Sequence, residues 1–364
     1  MRETYCKKLN ELDARMASIG YMQALMGWDS MTLASKKGID ARSAVSANIS
    51  ELTFTTLIND EVKHMLDELN SEIDALDHLD RAKLTYYTKA YHQIAKIPVE
   101  EYANYSALCA KSNLVWEEAK EKNDFAMFAP YLKEILDTQK RFVNYRGFSG
   151  HPYNTLLDDY EPGLTVEIAD QFFRQLKEAV VPLVHKIQEK SQVDLSFLQQ
   201  KFSIKDQEAF SKYLMEVLGF RMESGTIAVS AHPFTINLSR EDVRITTHYY
   251  EDNLVSSIFS TIHETGHALY EQNISSHIGL SALSSGVSMG IHESQSRIYE
   301  NNFGRSLSFW KAHYPKLQEL FPELKAVSLS EFHRALNTVA PSLIRIEADE
   351  VTYPLHIMVR YEME

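Results

Sequence analysis

The sequence predicts a mostly α protein with one small antiparallel β element, and three observations predict it. Gly (13) and Pro (10) are scarce among 364 residues. Long stretches carry apolar residues at three- and four-residue steps. One short segment, 225–250, instead concentrates Val, Ile, Thr and Tyr with partial alternation. No repeat, low-complexity tract or linker separates independent parts, so 1–364 is expected to form one helical domain.

In chain order, residues 4–28 read as a helix with Leu9, Leu12, Met16, Ile19 and Met26 on one side. Residues 40–69 read as one or two helices, and 78–96 as another. Pro98 stands where the next helix begins, since proline lacks the N–H that a first turn leaves unpaired. Residues 129–145 continue the pattern. Pro152, Pro162 and Gly163 mark 151–165 as a breaker, and a long helix then runs to about Gln192. Ser203 and Asp206 match a capping box, with Gly219 as the stop of that helix. The segments 226–239 and 242–250 read as the β element. Asn253 to about Gln272 is a helix with Leu254, Val255, Ile258, Phe259, Ile262 and Leu269 in phase, and 285–302 is another. The last ten residues end inside an apolar-periodic helix, without a glycine cap or polar tail.

The formal net charge of −13 argues against nucleic acid and against an anionic membrane surface as partners. No apolar run is long enough to span a bilayer, and the charged N-terminus resembles no signal peptide. Cys6 and Cys109 stand alone, so a thiolate zinc site is excluded and a reducing, cytoplasmic setting is expected.

His263-Glu264-Thr265-Gly266-His267 carries the chemistry. Positions i and i+4 of a helix lie one above the other, so the two imidazoles share a face and can grip one metal ion. Glu264 projects beside them as a general base for an activated water. The bland alternative is a packed core pair of histidines. A catalytic zinc needs a third protein ligand, and Glu293, 26 positions after His267, lies on the next helix. Glu300 and His292 are its rivals. Candidate donors for a tetrahedral oxyanion are His232, His248, Tyr249 and Tyr250. Candidate cations for a peptide's terminal carboxylate are Arg244 and Arg345, each with a competing ion-pair reading, to Asp242 and Asp349. The edge of the strand at 242–250 could hold an extended peptide.

With those residues in hand, the chain resembles the thermostable carboxypeptidase (carboxypeptidase Taq) family of zinc metallocarboxypeptidases. The resemblance lies in ordered motifs that run through essentially the whole chain. They are His232-Pro233-Phe234, the run Asp242 to Thr247, His263 to His267, His292 to Gln295, and Ile344 to Asp349. Gly27 to Asp29 and the loop from His151 to Gly163 also fit. The resemblance implies a large helical, zincin-like peptidase, commonly a homodimer. It implies broad-specificity release of single C-terminal residues from peptides, with zinc or cobalt. By position, His263, His267 and Glu293 would hold the metal and Glu264 would be the base. Arg345 would recognise the C-terminus, with His232 and Arg244 lining the substrate groove. A later family motif, GxxQDxHW, is absent, so the chain is expected to lack the final part of that fold. A non-catalytic metal- or peptide-binding fragment is therefore the alternative.

Overall fold

The computed structural model describes residues 1–364 apart from the side chain of Lys36. In chain order the elements are α1 (Arg2–Thr32), α2 (Ile39–Leu57), α3 (Asp60–Ser71), α4 (His78–Ile94), α5 (Val99–Lys122), α6 (Phe125–Arg146), α7 (Asn154–Tyr160), α8 (Val166–Gln188) and α9 (Ile204–Leu218). Strands β1 (Gly225–Val229), β2 (Thr235–Ser239) and β3 (Asp242–Thr247) follow. The rest is α10 (Leu254–Gln272), α11 (Met289–Arg297) running on as a π-helical stretch (Ile298–Gly304), α12 (Leu307–Leu320), α13 (Leu329–Leu336) and α14 (Tyr353–Met363). No helix among the described residues is long and apolar enough to cross a membrane.

The mostly helical architecture agrees with the sequence, and local chemistry sets its boundaries. The 40–69 region divides at Asn59, whose side chain accepts the Val62 N–H and starts α3. The segment 151–165 is not wholly irregular, because α7 forms inside it. The helix expected over 285–302 starts later, where Ser288 Oγ accepts the Ile291 N–H. Ser203 caps α9 through the Asp206 N–H, and Gly219 ends it with φ +95°, the left-handed conformation glycine adopts without a Cβ clash. The reciprocal capping box occurs instead at Ser328 and Glu331.

The chain forms two compact units. One comprises Met1–Asp159 and Ile274–Ser285. Its core joins Leu9 and Leu12 of α1 to Leu57, Met65, Leu66 and Leu69 of α2 and α3 and to Leu84 and Tyr87 of α4. A buried carboxylate organises one side of that core. Asp13 accepts from the Tyr87 hydroxyl and the Ala282 N–H, both at 2.9 Å, and pairs with Lys83 at 3.3 Å. A buried charge needs such a full set of partners.

The other unit comprises Tyr160–Asn273 and Gly286–Glu364. Helix α10 runs through its centre and is buried on nearly every side, which explains its apolar content around the whole circumference. Leu254, Ile258 and Ile262 pack with Phe210 and Leu214 of α9, Trp310 and Leu317 of α12 and Phe332 of α13. Trp310 donates its indole N–H to the Gly304 carbonyl at 2.7 Å, which makes its full burial affordable.

The sheet has the order β1-β3-β2 and is mixed rather than purely antiparallel. β2 and β3 form the expected antiparallel pair, with Thr235 opposite Ile245. β1 adds a parallel pairing, with Gly225 opposite Val243. β3 is therefore the central strand. The expectation that the 242–250 strand offers a free edge is corrected: both its sides are paired, and the edges belong to β1 and β2.

Candidate metal centre

Helix α10 carries His263, Glu264 and His267, and α11 carries Glu293. The two helices meet at Gly266, which lies between the histidines. A Cβ at that position would stand 2.7 Å from Ser296 Cα and 3.1 Å from Tyr299 Cβ. Only a residue without a side chain permits this approach, which brings Glu293 over the imidazoles.

One donor atom each from His263, His267 and Glu293 lies within 4.8 Å of the others. Glu293 Oε2 is 3.5 Å from His263 Nε2 and 3.2 Å from His267 Nε2. Ligands about 2.0–2.2 Å from a tetrahedral ion are about 3.3–3.5 Å from one another, so the spacing fits a divalent cation of zinc's size. Glu293 Oε1 is turned away and accepts from Arg297 Nε at 3.0 Å, which leaves Oε2 for the imidazoles and the Ser296 hydroxyl.

The outer contacts fix the three donor side chains. His263 Nδ1 donates to Glu300 Oε2 at 2.8 Å, which orients the ring so that Nε2 points at Glu293. Arg297 Nη1 donates to the same Glu300 oxygen at 2.9 Å. Glu300 thus braces His263 and is not part of the three-donor cluster. His267 is held differently. Its Nδ1 is buried without a hydrogen-bond partner among the described residues, and its ring stacks on that of His292 with centroids 4.5 Å apart. His292 in turn donates Nε2 to the buried Glu271 at 2.6 Å, and Asn237 of β2 donates to the other Glu271 oxygen. His292, too, is committed elsewhere and does not compete as a ligand.

Glu264 is buried on the β2 side of α10. Thr235 donates its hydroxyl to Glu264 Oε2 at 2.6 Å, and the Glu264 carbonyl lies 3.0 Å from the same hydroxyl. Burial raises the pKa of Glu264 against the opposing pull of His263, which strengthens it as a base. Burial alone would lower His263, but the hydrogen bonds to Glu293 and Glu300 prevail and raise it to about 10. Burial pushes Glu293 up, yet the bonds from both imidazoles hold it well below the usual carboxylate range. Before any ion binds, the carboxylates of Glu293 and Glu300 already stabilise a positive charge on the His263 ring. That charge pattern suits a site whose protons a cation displaces.

The other sequence candidates are distributed as follows. Arg244 is gripped by Asp242 through two bonds of 2.8 and 2.7 Å, the competing ion-pair reading. For Arg345 the corresponding pair with Asp349 does not form. Asp349 instead accepts from the N–H groups of Ala340, Val351 and Thr352, and Arg345 Nη1 donates to the Tyr353 hydroxyl at 3.1 Å. His232 lies in the turn between β1 and β2. His248 donates Nδ1 to the Ser230 carbonyl at 2.7 Å and packs at a tilt against Tyr250. Sequence reasoning missed Thr235, Glu271 and Arg297. Arg297 and Glu271 each follow a member of the donor set by four positions, a helical signal that could have found them. Thr235 sits on a separate strand and gives no such signal.

The family model for Carboxypeptidase Taq (M32) metallopeptidases matches residues 8–364. Carboxypeptidase 1 of Bacillus subtilis (strain 168) is 44% identical over 363 residues, which cover 99% of this chain and 72% of that protein. The crystal structure of BsuCP superposes with a TM-score of 0.95 at 43% identity, covering 99% of this chain and 73% of its own. Trypanosoma cruzi metallocarboxypeptidase 1 gives a TM-score of 0.90 at 36% identity, covering 100% of this chain and 73% of its own.

Proposed function

The chain belongs to the carboxypeptidase Taq (M32) metallopeptidase family, and from that premise we propose that it releases single residues from peptide C-termini with broad specificity. The observation that carries this reading is the close set of His263, His267 and Glu293 with Glu264 on the same helix. Two imidazoles and one carboxylate suit zinc, with cobalt as an alternative occupant. When bound, the ion supplies Lewis acidity to a peptide carbonyl and to water.

The chain's own groups do the rest. Thr235 occupies Oε2 of Glu264, so Oε1 is the oxygen that takes a proton from the attacking water and returns it to the leaving amine. Arg345 receives the terminal carboxylate of the substrate. His232 and Arg244 line the groove beside it. β2 is an edge strand and carries Thr235, so an extended peptide would pair its backbone there. Replacing Thr235 with Val keeps the shape but leaves Oε2 of Glu264 without its donor. We expect kcat to fall about 10–100-fold with metal content retained, read by steady-state kinetics and elemental analysis.

The homodimer and the cytoplasmic setting belong to the same proposal, the latter supported by two unpaired cysteines, Cys6 and Cys109. A non-catalytic metal- or peptide-binding fragment is the less favoured alternative, because the donor set and the base are together. The test is an N-acylated Ala-Arg substrate with added zinc or cobalt. Release of free arginine that a chelator stops and metal restores is the expected result. No release at saturating metal would overturn the proposal, and internal cleavage of a mid-length peptide would make the protein an endopeptidase instead.

A further inference from the structure

We infer that Tyr353 is a positioning residue that ties substrate recognition to the metal ligands, an inference that rests on the proposed role of Arg345. Tyr353 opens α14 and is partly buried. Its ring carries the guanidinium of Arg297 on one face, with the central carbon 3.8 Å from the ring centroid. Its hydroxyl accepts from Arg345 Nη1 at 3.1 Å. One aromatic side chain therefore contacts two cations that face different tasks.

Arg297 serves the ligands. Its Nε holds Glu293 Oε1 at 3.0 Å and its Nη1 holds Glu300 Oε2 at 2.9 Å, so it fixes both the third ligand and the brace of His263. A planar guanidinium stacked on a ring has little freedom left, and that rigidity passes to the two carboxylates. Arg345 serves the substrate. Among the described residues no carboxylate pairs with it, and the oxygen of Tyr353 is its acceptor. A peptide's terminal carboxylate would supply the missing counter-charge in the bidentate geometry that a guanidinium prefers.

The chain segment between Arg345 and Tyr353 is itself locked. Asp349 accepts from the Val351 and Thr352 N–H groups, each at 2.9 Å, and from the Thr352 hydroxyl at 2.6 Å. This turn sets the start of α14 and hence the placement of the ring. The distance from the terminal carboxylate to the ion is then fixed through Tyr353, which is what selects the last peptide bond rather than an inner one.

The two halves of this role separate in two variants. Tyr353→Phe keeps the ring and removes the hydroxyl. It should raise KM for an N-acyl dipeptide about tenfold and lower the preference for the free acid over its C-terminal amide by a similar factor. The zinc dissociation constant, read by competition with a chromogenic chelator, should stay within about twofold. Tyr353→Leu removes the ring as well and should also weaken zinc about tenfold. Tyr353→Met replaces it if the Leu variant does not fold.

Arg345→Ala is the control. If it leaves the acid-over-amide preference intact, the role of Arg345 is wrong and the recognition half of the inference falls with it. If it abolishes that preference while Tyr353→Phe keeps it, the Tyr353 hydroxyl does not position Arg345, the recognition half falls, and the role of Arg345 stands. Zinc affinity equal to wild type in both the Phe and the Leu or Met variants overturns the metal half.

Discussion

Replacing Glu264 with Gln is expected to lower kcat about 10²–10⁴-fold while the protein keeps its full complement of metal. Glu264 is not part of the donor set formed by His263, His267 and Glu293, and its Oε2 is engaged by Thr235 at 2.6 Å. Glutamine preserves the volume and can still accept from Thr235, so folding and ion binding should survive. What it loses is basicity. The carboxylate's pKa is raised by burial, which makes it a stronger proton acceptor than an exposed glutamate, and an amide has no such capacity. Elemental analysis and kcat on the same preparation make the check. Activity within a few-fold of wild type would remove Glu264 from the mechanism.

The second large effect is expected from Gly266→Ala. Helix propensity favours alanine by about 1 kcal/mol. The packing opposes it more strongly, because the new Cβ would meet backbone of the neighbouring helix, 2.7 Å from Ser296 Cα and 3.3 Å from the Gln295 carbonyl oxygen. No flexible side-chain tip can yield there, so α11 must recede, at an overpacking cost of about 1–3 kcal/mol. The net stability change is therefore small, and the damage concentrates in the site, since α11 carries Glu293. Zinc affinity should fall about 10–100-fold, the range for disturbed outer contacts of a metal ligand. Chelator competition measures this, with thermal unfolding in chelator as the control for the apo fold. Wild-type affinity would show that the close approach at Gly266 does not set the third donor.

These two variants also mark what the sequence could and could not reveal. Glu264 and the histidines are legible because a helix fixes the relation of i, i+1 and i+4, and the apolar phase of 253–272 identifies the helix. Glu293 is legible as one of three candidates. Spacing alone leaves the three open, the family resemblance selects Glu293, and the contacts that no spacing encodes turn the other two elsewhere: His292 to the buried Glu271, and Glu300 to the outer nitrogen of His263. Thr235, and Tyr353 between its two arginines, act across elements that are distant in sequence, so periodicity cannot point to them. The fold divides in the same way. The antiparallel pair β2–β3 follows from neighbouring segments in the chain, whereas the parallel pairing of β1 with β3 requires a crossover and left no trace in the alternation. For the same reason the central position of β3 was not foreseen. The late start of α11 follows from a local competition, since the Ser288 hydroxyl captures a backbone N–H that an earlier start would have used.

The π-helical stretch from Ile298 to Gly304 has a consequence of its own. Each residue of an α-helix advances the chain by about 100°, and a wider turn absorbs one additional residue without breaking the rod. Upstream, the phase is set by Glu293, which faces the histidines, and inside the stretch Glu300 faces His263. At its end Gly304 lies against Ile262 of α10, before the extended Ser306 starts α12 as a separate helix. The extra residue lets Glu293 and Gly304 both face α10. A single-residue deletion inside that stretch, although outside every recognisable motif, would force either the carboxylates or Gly304 out of alignment. Here, the number of residues matters as much as their identity.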